Sequence, residues 1–156
     1  MRSSARYVHT SLVALDWRLL ARFYTRVFGC RIKPPERDLR GPWLDSLTSI
    51  RGAHVRGAHL LLPGCAKDGP TLEIFQYARQ AGSGPAGSKP SRVDAPGLRH
   101  LAFAVGNVNA ALASVERNGG SRVGGSVSTR VEGVGELDVV YARDPEGNII
   151  EIQKWK

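Results

Sequence analysis

Arg6-Tyr-Val-His-Thr-Ser-Leu-Val13 and Leu98-Arg-His-Leu-Ala-Phe-Ala-Val105 decide how this chain is read. Both are strand candidates built around a histidine, and aligning His9 with His100 sets an offset of 91 residues. The same offset lays Asp16 on Asn107, two residues suited to capping a helix N-terminus. It also lays Gly29 on Gly120, two residues suited to ending a helix. Between cap and stop, Leu20, Phe23, Tyr24, Val27 and Phe28 recur at helical spacing in one copy, and Val108, Ala111, Leu112 and Val115 in the other. One offset thus matches a strand, a cap, a helix and a terminating glycine. The reading is an internal repeat, an α+β chain of two tandem βαβββ modules.

Working outward, the first module spans 1–78 and continues with strand candidates near 30–33, 43–51, 58–62 and 71–77. The second spans 97–156, with candidates near 121–123, 127–131, 137–143 and 148–155. Residues 79–96 join them, and Gly82-Ser-Gly-Pro-Ala-Gly-Ser-Lys-Pro90 within that stretch reads as a linker or lid loop. Asp144-Pro-Glu-Gly-Asn148 predicts a tight turn before the last strand, and the glycines at 124–125, 133 and 135 predict the bounds of a hairpin.

Composition narrows the function. The chain has 156 residues, 42% of them hydrophobic, enough for a packed core. No apolar run approaches a membrane span, and no export signal is seen, so the expectation is a cytoplasmic protein that engages no membrane. Two cysteines, Cys30 and Cys65, are too few for a disulfide framework or a cysteine zinc site. The formal charge of +8 comes mostly from arginines scattered singly, with Arg18, Arg22 and Arg26 on one solvated helix face. No recognition motif accompanies that charge, so no nucleic-acid partner is expected.

Each module offers one histidine on its first strand and one glutamate on its last: His9 with Glu73, and His100 with Glu151. Alternation along a strand puts His9 with Ser11 and Val13, opposite Val8, Thr10 and Leu12. Glu73 stands between Leu72 and Ile74, and Glu151 between Ile150 and Ile152. A carboxylate in such surroundings is costly unless it is paired or binds a metal. Two imidazoles and two carboxylates suit one divalent ion per site, from zinc, nickel, cobalt, manganese or iron. His54 and His59 match no partner in the repeat, and the Val-Arg-Gly-Ala between them reads as a turn, which points to structural or surface roles.

These residues resemble the vicinal oxygen chelate superfamily, also called the glyoxalase/bleomycin-resistance/dioxygenase group. The resemblance runs over nearly the whole chain. It rests on Val8-His-Thr-Ser-Leu12, Ala21-Arg-Phe-Tyr-Thr-Arg-Val-Phe-Gly29, Thr71-Leu-Glu-Ile-Phe75, Gly97-Leu-Arg-His-Leu-Ala-Phe103 and Asp144-Pro-Glu-Gly-Asn-Ile-Ile-Glu151. It implies two βαβββ modules forming a curved mixed sheet around a metal cleft, with His9, Glu73, His100 and Glu151 on the four ligand positions. The second carboxylate, Glu73, resembles glyoxalase I and methylmalonyl-CoA epimerase. What that implies is an isomerase, epimerase or lyase in which the metal polarises a carbonyl and a carboxylate moves the neighbouring proton. By position Glu151 is then the base and Glu73 its partner. The implied substrate is a small anionic molecule, a thioester or a hemithioacetal, and the implied assembly is a homodimer. Two other readings stay open: a metal-dependent dioxygenase using His9, His100 and Glu151, and a non-catalytic protein that binds a drug or other small molecule. Arg79, Arg99 and Lys154 are candidates for holding an anionic group.

Overall fold

The structure, a computed structural model, describes residues 5–78 and 92–156. The 79–91 portion of the expected linker, Arg79 included, lies outside the described residues. The chain forms two compact units, taken here one at a time.

The first unit runs β1 (His9–Val13), α1 (Trp17–Phe28), β2 (Arg31–Arg40), α2 (Pro42–Thr48), β3 (His54–Leu61) and β4 (Thr71–Tyr77). Its sheet has the order β1-β4-β3-β2, with β1 parallel to β4 and the other pairs antiparallel. Asp16 caps α1 by accepting from the backbone N–H groups of Arg18 and Leu19, both at 3.0 Å. Gly29 ends the helix at φ 74°, a left-handed conformation that glycine adopts without steric cost. Trp17, Leu20, Ala21, Phe23 and Tyr24 of α1 are buried, as are Ala58, Leu60, Leu72 and Ile74 of the sheet. The arginines at 18, 22 and 26 are exposed, as expected.

The segment 43–51 is not a strand. It forms α2, entered through Gly41 with Pro42 in the first turn, where its missing N–H costs nothing. Asp45 accepts from the backbone N–H of Gly52 at 2.7 Å and of Ala53 at 2.9 Å, tying the helix to the start of β3. Leu44 is buried in a small cluster with Ala53 and Val55, against which Leu39, Phe75 and Tyr77 pack. The expected turn between His54 and His59 is likewise absent, because β3 runs straight through. Gly57 permits this. A Cβ there would overlap the Ile74 carbonyl oxygen and the Phe75 ring on the neighbouring strand.

The second unit runs β5 (His100–Ala104), α3 (Val108–Arg117), β6 (Ser121–Arg122), β7 (Val127–Val131), β8 (Gly135–Arg143) and β9 (Ile149–Trp155). The order is β5-β9-β8-β6, and β7 also pairs with β8. The register shows that β6 and β7 are the two halves of one strand. In the first unit β2 follows β3 as Arg31↔Leu61, then slips between Lys33 and Arg37. In the second, β6 follows β8 as Ser121↔Arg143, and pairing resumes at Val127↔Val139. Prolines interrupt the ladder in one unit and glycines in the other, since Pro34 and Pro35 have no N–H to give. The βαβββ plan therefore holds in both.

Asn107 caps α3 by accepting from the Ala110 N–H at 2.9 Å. Its stop differs from the expected one. The left-handed residue is Gly119 at φ 89°. Gly120 instead lies where a Cβ would overlap the Arg143 carbonyl oxygen. The helix buries Val108, Leu112 and Val115, and the sheet buries Val140, Ala142, Ile150 and Ile152. The Asp144 turn forms as expected. One carboxylate oxygen accepts from the Glu146 and Asn148 N–H groups at 2.9 and 3.0 Å, the other from the Asn148 side chain at 2.8 Å. That turn sets where β9 begins.

Candidate metal centre

Strand alternation decides what the face of each sheet opposite its buried residues presents. In the first unit Leu72 and Ile74 are buried, so Glu73 between them points the other way. Ala58 and Leu60 are also buried, and His59 between them emerges on the same side as Glu73. Pairing makes the two direct neighbours, His59↔Glu73, while His9 pairs with Thr71, two residues before Glu73. His59 Nε2 is 3.2 Å from Glu73 Oε2, and His9 Nε2 is 3.9 Å from Glu73 Oε1. On its other side, His59 Nδ1 shares a hydrogen bond of 2.9 Å with the hydroxyl of Thr71, a buried residue. The rings of His9 and His59 meet edge to face with centroids 5.5 Å apart, and those of His59 and Phe75 do so at 5.9 Å. Among the described residues, His9, His59 and Glu73 offer three ligand atoms all within 4.8 Å of one another.

Burial holds the pKa of His59 below the usual histidine value, and Arg37, His9 and Lys33 push the same way against the opposing pull of Glu73. The ring is thus neutral near pH 7 and keeps a lone pair on one nitrogen. Beside it opens a cavity of about 170 Å³ lined by Arg6, Lys33, Arg37, His59 and Thr71, with Asp68 as its carboxylate.

The second unit repeats the register. His100 pairs with Ile149, two residues before Glu151, and Tyr141 pairs directly with Glu151. His100 Nε2 is 3.5 Å from Glu151 Oε2. Tyr141 takes the place that His59 has in the first unit. Its ring is 5.4 Å from that of His100. Burial raises the phenol pKa, and donation of its O–H to the Glu151 carboxylate raises it further.

The structure brings His9 to 3.9 Å from Glu73 in one unit and His100 to 3.5 Å from Glu151 in the other. It corrects the reading of His59, which is neither a turn nor a surface residue. The missed signal was the alternation Ala58-His59-Leu60, the same pattern that marked Glu73. His54 lies on the opposite face of β3, with Nε2 at 2.6 Å from Asp38 Oδ1. Lys154 alternates with Gln153 and Trp155 and so stands on the face away from Glu151. Cys30 is buried, which pushes its thiol up to about 11, and Cys65 is exposed.

Two such His/Glu pairs, each on the first and last strands of a βαβββ unit, invite comparison with known proteins. The family model of the Glyoxalase/Bleomycin resistance protein/Dioxygenase superfamily matches residues 6–152. The chain belongs to this superfamily. Its sequence is similar to the uncharacterized protein YaeR of Escherichia coli (strain K12), with 25% identity over 145 residues and 92% of each chain covered. Its fold is similar to that of a glyoxalase family protein from Bacillus cereus, with a TM-score of 0.72 at 18% identity, covering 97% of this chain and 93% of that one. A glyoxalase I variant from Zea mays gives a TM-score of 0.58 at 20% identity, covering 95% of this chain and 44% of that one. For this superfamily member the donor chemistry fits a divalent cation. Imidazole nitrogen and carboxylate oxygen, on strands whose opposite faces are packed, are ligands that first-row divalent ions accept.

Proposed function

We propose that the chain is a divalent-metal-dependent isomerase, epimerase or lyase that removes a proton from carbon next to a carbonyl. The proposed ligands are His9, Glu73, His100 and Glu151. The observation that supports this is the repeated register: in both units the glutamate lies two residues past the partner of the histidine, with the buried apolar residues on the other face. A structural role gives no reason for a half-buried carboxylate to recur at the same place in both halves.

A divalent cation held there supplies Lewis acidity, which draws electron density from a carbonyl oxygen and acidifies the adjacent C–H. Glu151 accepts the proton and returns it to the product. Tyr141 donates its hydroxyl to Glu151, which fixes the carboxylate and leaves its remaining lone pairs for the proton. Glu73 lies beside His59, itself anchored on Thr71. The cationic cavity beside His59 supports a substrate with an anionic group, with Arg6, Lys33 and Arg37 as the residues that hold it. An acyl thioester or a hemithioacetal bearing a carboxylate or phosphate meets that description, and a homodimer is the expected assembly.

The test is hydrogen exchange. Protein reloaded with single divalent ions is incubated in D2O with a panel of such compounds, and deuterium entering beside the carbonyl is followed by proton NMR. The expected result is exchange with at least one compound, abolished by chelation. Elemental analysis is expected to give about one ion per chain. A protein that takes up no ion under any loading condition overturns the reading.

A further inference from the structure

His59 stands where the repeat would place a tyrosine, and that single difference gives the first unit a donor set that the second lacks. We infer that the first unit binds a divalent metal ion by itself, through His9, His59 and Glu73, with His59 as a direct ligand. This rests on the metal reading above but not on the reaction proposed for it.

The geometry supplies the argument. Neighbouring donors on a four- to six-coordinate ion with bonds of about 2.1 Å stand about 3.0–3.4 Å apart. The His59–Glu73 separation of 3.2 Å already has that value, and His9–Glu73 at 3.9 Å lies a rotamer adjustment away. His59 Nε2 faces Glu73 while Nδ1 is engaged by Thr71. The Thr71 hydroxyl holds the ring's aim and can accept from Nδ1–H, which leaves the Nε2 lone pair toward Glu73 as an imidazole ligand requires. The ring also has little freedom to leave, with its edge contacts to His9 and Phe75 and its place in mid-strand. In the second unit the equivalent position holds the Tyr141 phenol, paired directly with Glu151 and offering a hydroxyl proton where an imidazole offers a nitrogen lone pair. The two halves thus differ in kind: one has three donors for a cation, the other has two donors and a phenol.

Two experiments test this on the full chain. In the first, ring-nitrogen NMR of 15N-histidine-labelled wild-type protein is followed as Zn(II) is added. The expected result is that the His59 Nε2 resonance moves to the position of a metal-bound imidazole together with that of His9, while His54 does not move. A His59 that keeps its Nε2–H when His9 binds overturns the inference, and it does so without any substitution that might unfold the protein. In the second, Co(II) is titrated into the double variant His100→Ala, Glu151→Ala. About one ion per chain is expected, with visible d–d absorption, and adding His59→Ala should weaken binding by about 100-fold or more. A double variant that binds no cobalt while wild type does overturns the inference and leaves the four-ligand reading standing. Cobalt binding by the double variant that ignores His59→Ala also overturns it. Metal-loaded wild type that exchanges no substrate proton sinks the reaction but not this site.

Discussion

Laid over each other by register, the two halves of the chain share a histidine and a glutamate in one row of side chains and part company at the other two positions in it. The first half reads Thr71, His59, Glu73 and His9; the second reads Ile149, Tyr141, Glu151 and His100. Histidine and glutamate are common to both, and the residue paired with the glutamate is not. A neutral imidazole offers a lone pair, whereas a phenol below its pKa offers a proton. The same backbone therefore presents one carboxylate among metal donors and another beside a hydrogen-bond donor. The difference teaches that a duplicated frame can hold like geometry while assigning unlike chemistry to its copies. On the proposed reading it favours Glu151 as the base, since its neighbour Tyr141 directs a carboxylate without competing for a cation.

The sharpest way to break the comparison is to remove each glutamate in turn. Glu151→Ala is expected to lower proton exchange by about 10²–10⁴-fold, the usual worth of a general base. Glu73→Ala should weaken metal binding and exchange together. If Glu73→Ala leaves metal content and oxygen consumption intact, the three-ligand dioxygenase reading replaces ours. Next in size is Gly57, whose counterpart by register is Val139. Gly57→Val drives a side chain into the Ile74 carbonyl and the Phe75 ring, and should cost about 1–3 kcal/mol in denaturant unfolding. Tyr141→Phe removes only the hydroxyl. A roughly tenfold loss of exchange at unchanged metal content is expected, and an equal loss of both would make Tyr141 structural. The helix caps give the smallest effect. Asp16→Ala should cost about 1 kcal/mol and Asn107→Ala somewhat less, because Asp16 accepts two N–H groups and Asn107 one.

Much of this frame was legible in the sequence because its signals are local. Leu72-Glu73-Ile74 and Ile150-Glu151-Ile152 announce their faces by alternation alone, and Asp16 and Asn107 announce the helices they cap. What escaped notice depended on pairing. The offset between halves falls from 91 at His9 and His100 to 78 at Glu73 and Glu151, because the connections differ in length. A search at fixed offset therefore never sets His59 beside Tyr141, and neither residue type hints at the other. The stretch after Gly41 was read as a strand for its apolar content. Pro42 at the first turn and the reach of Asp45 to Gly52 and Ala53 make it a helix, and the second of these exists only once the chain has turned back.

The parallel pairing of β1 with β4, and of β5 with β9, has a consequence for the chain as it is made. His9 leaves the ribosome about sixty residues before Glu73, and the strand that must lie beside it is the last of its unit to emerge. A shorter delay, 51 residues, separates His100 from Glu151. A nascent chain halted before Thr71 has His9 and His59 and no Glu73 carboxylate to join them. Each half therefore completes its His/Glu pair only when its own translation is nearly complete.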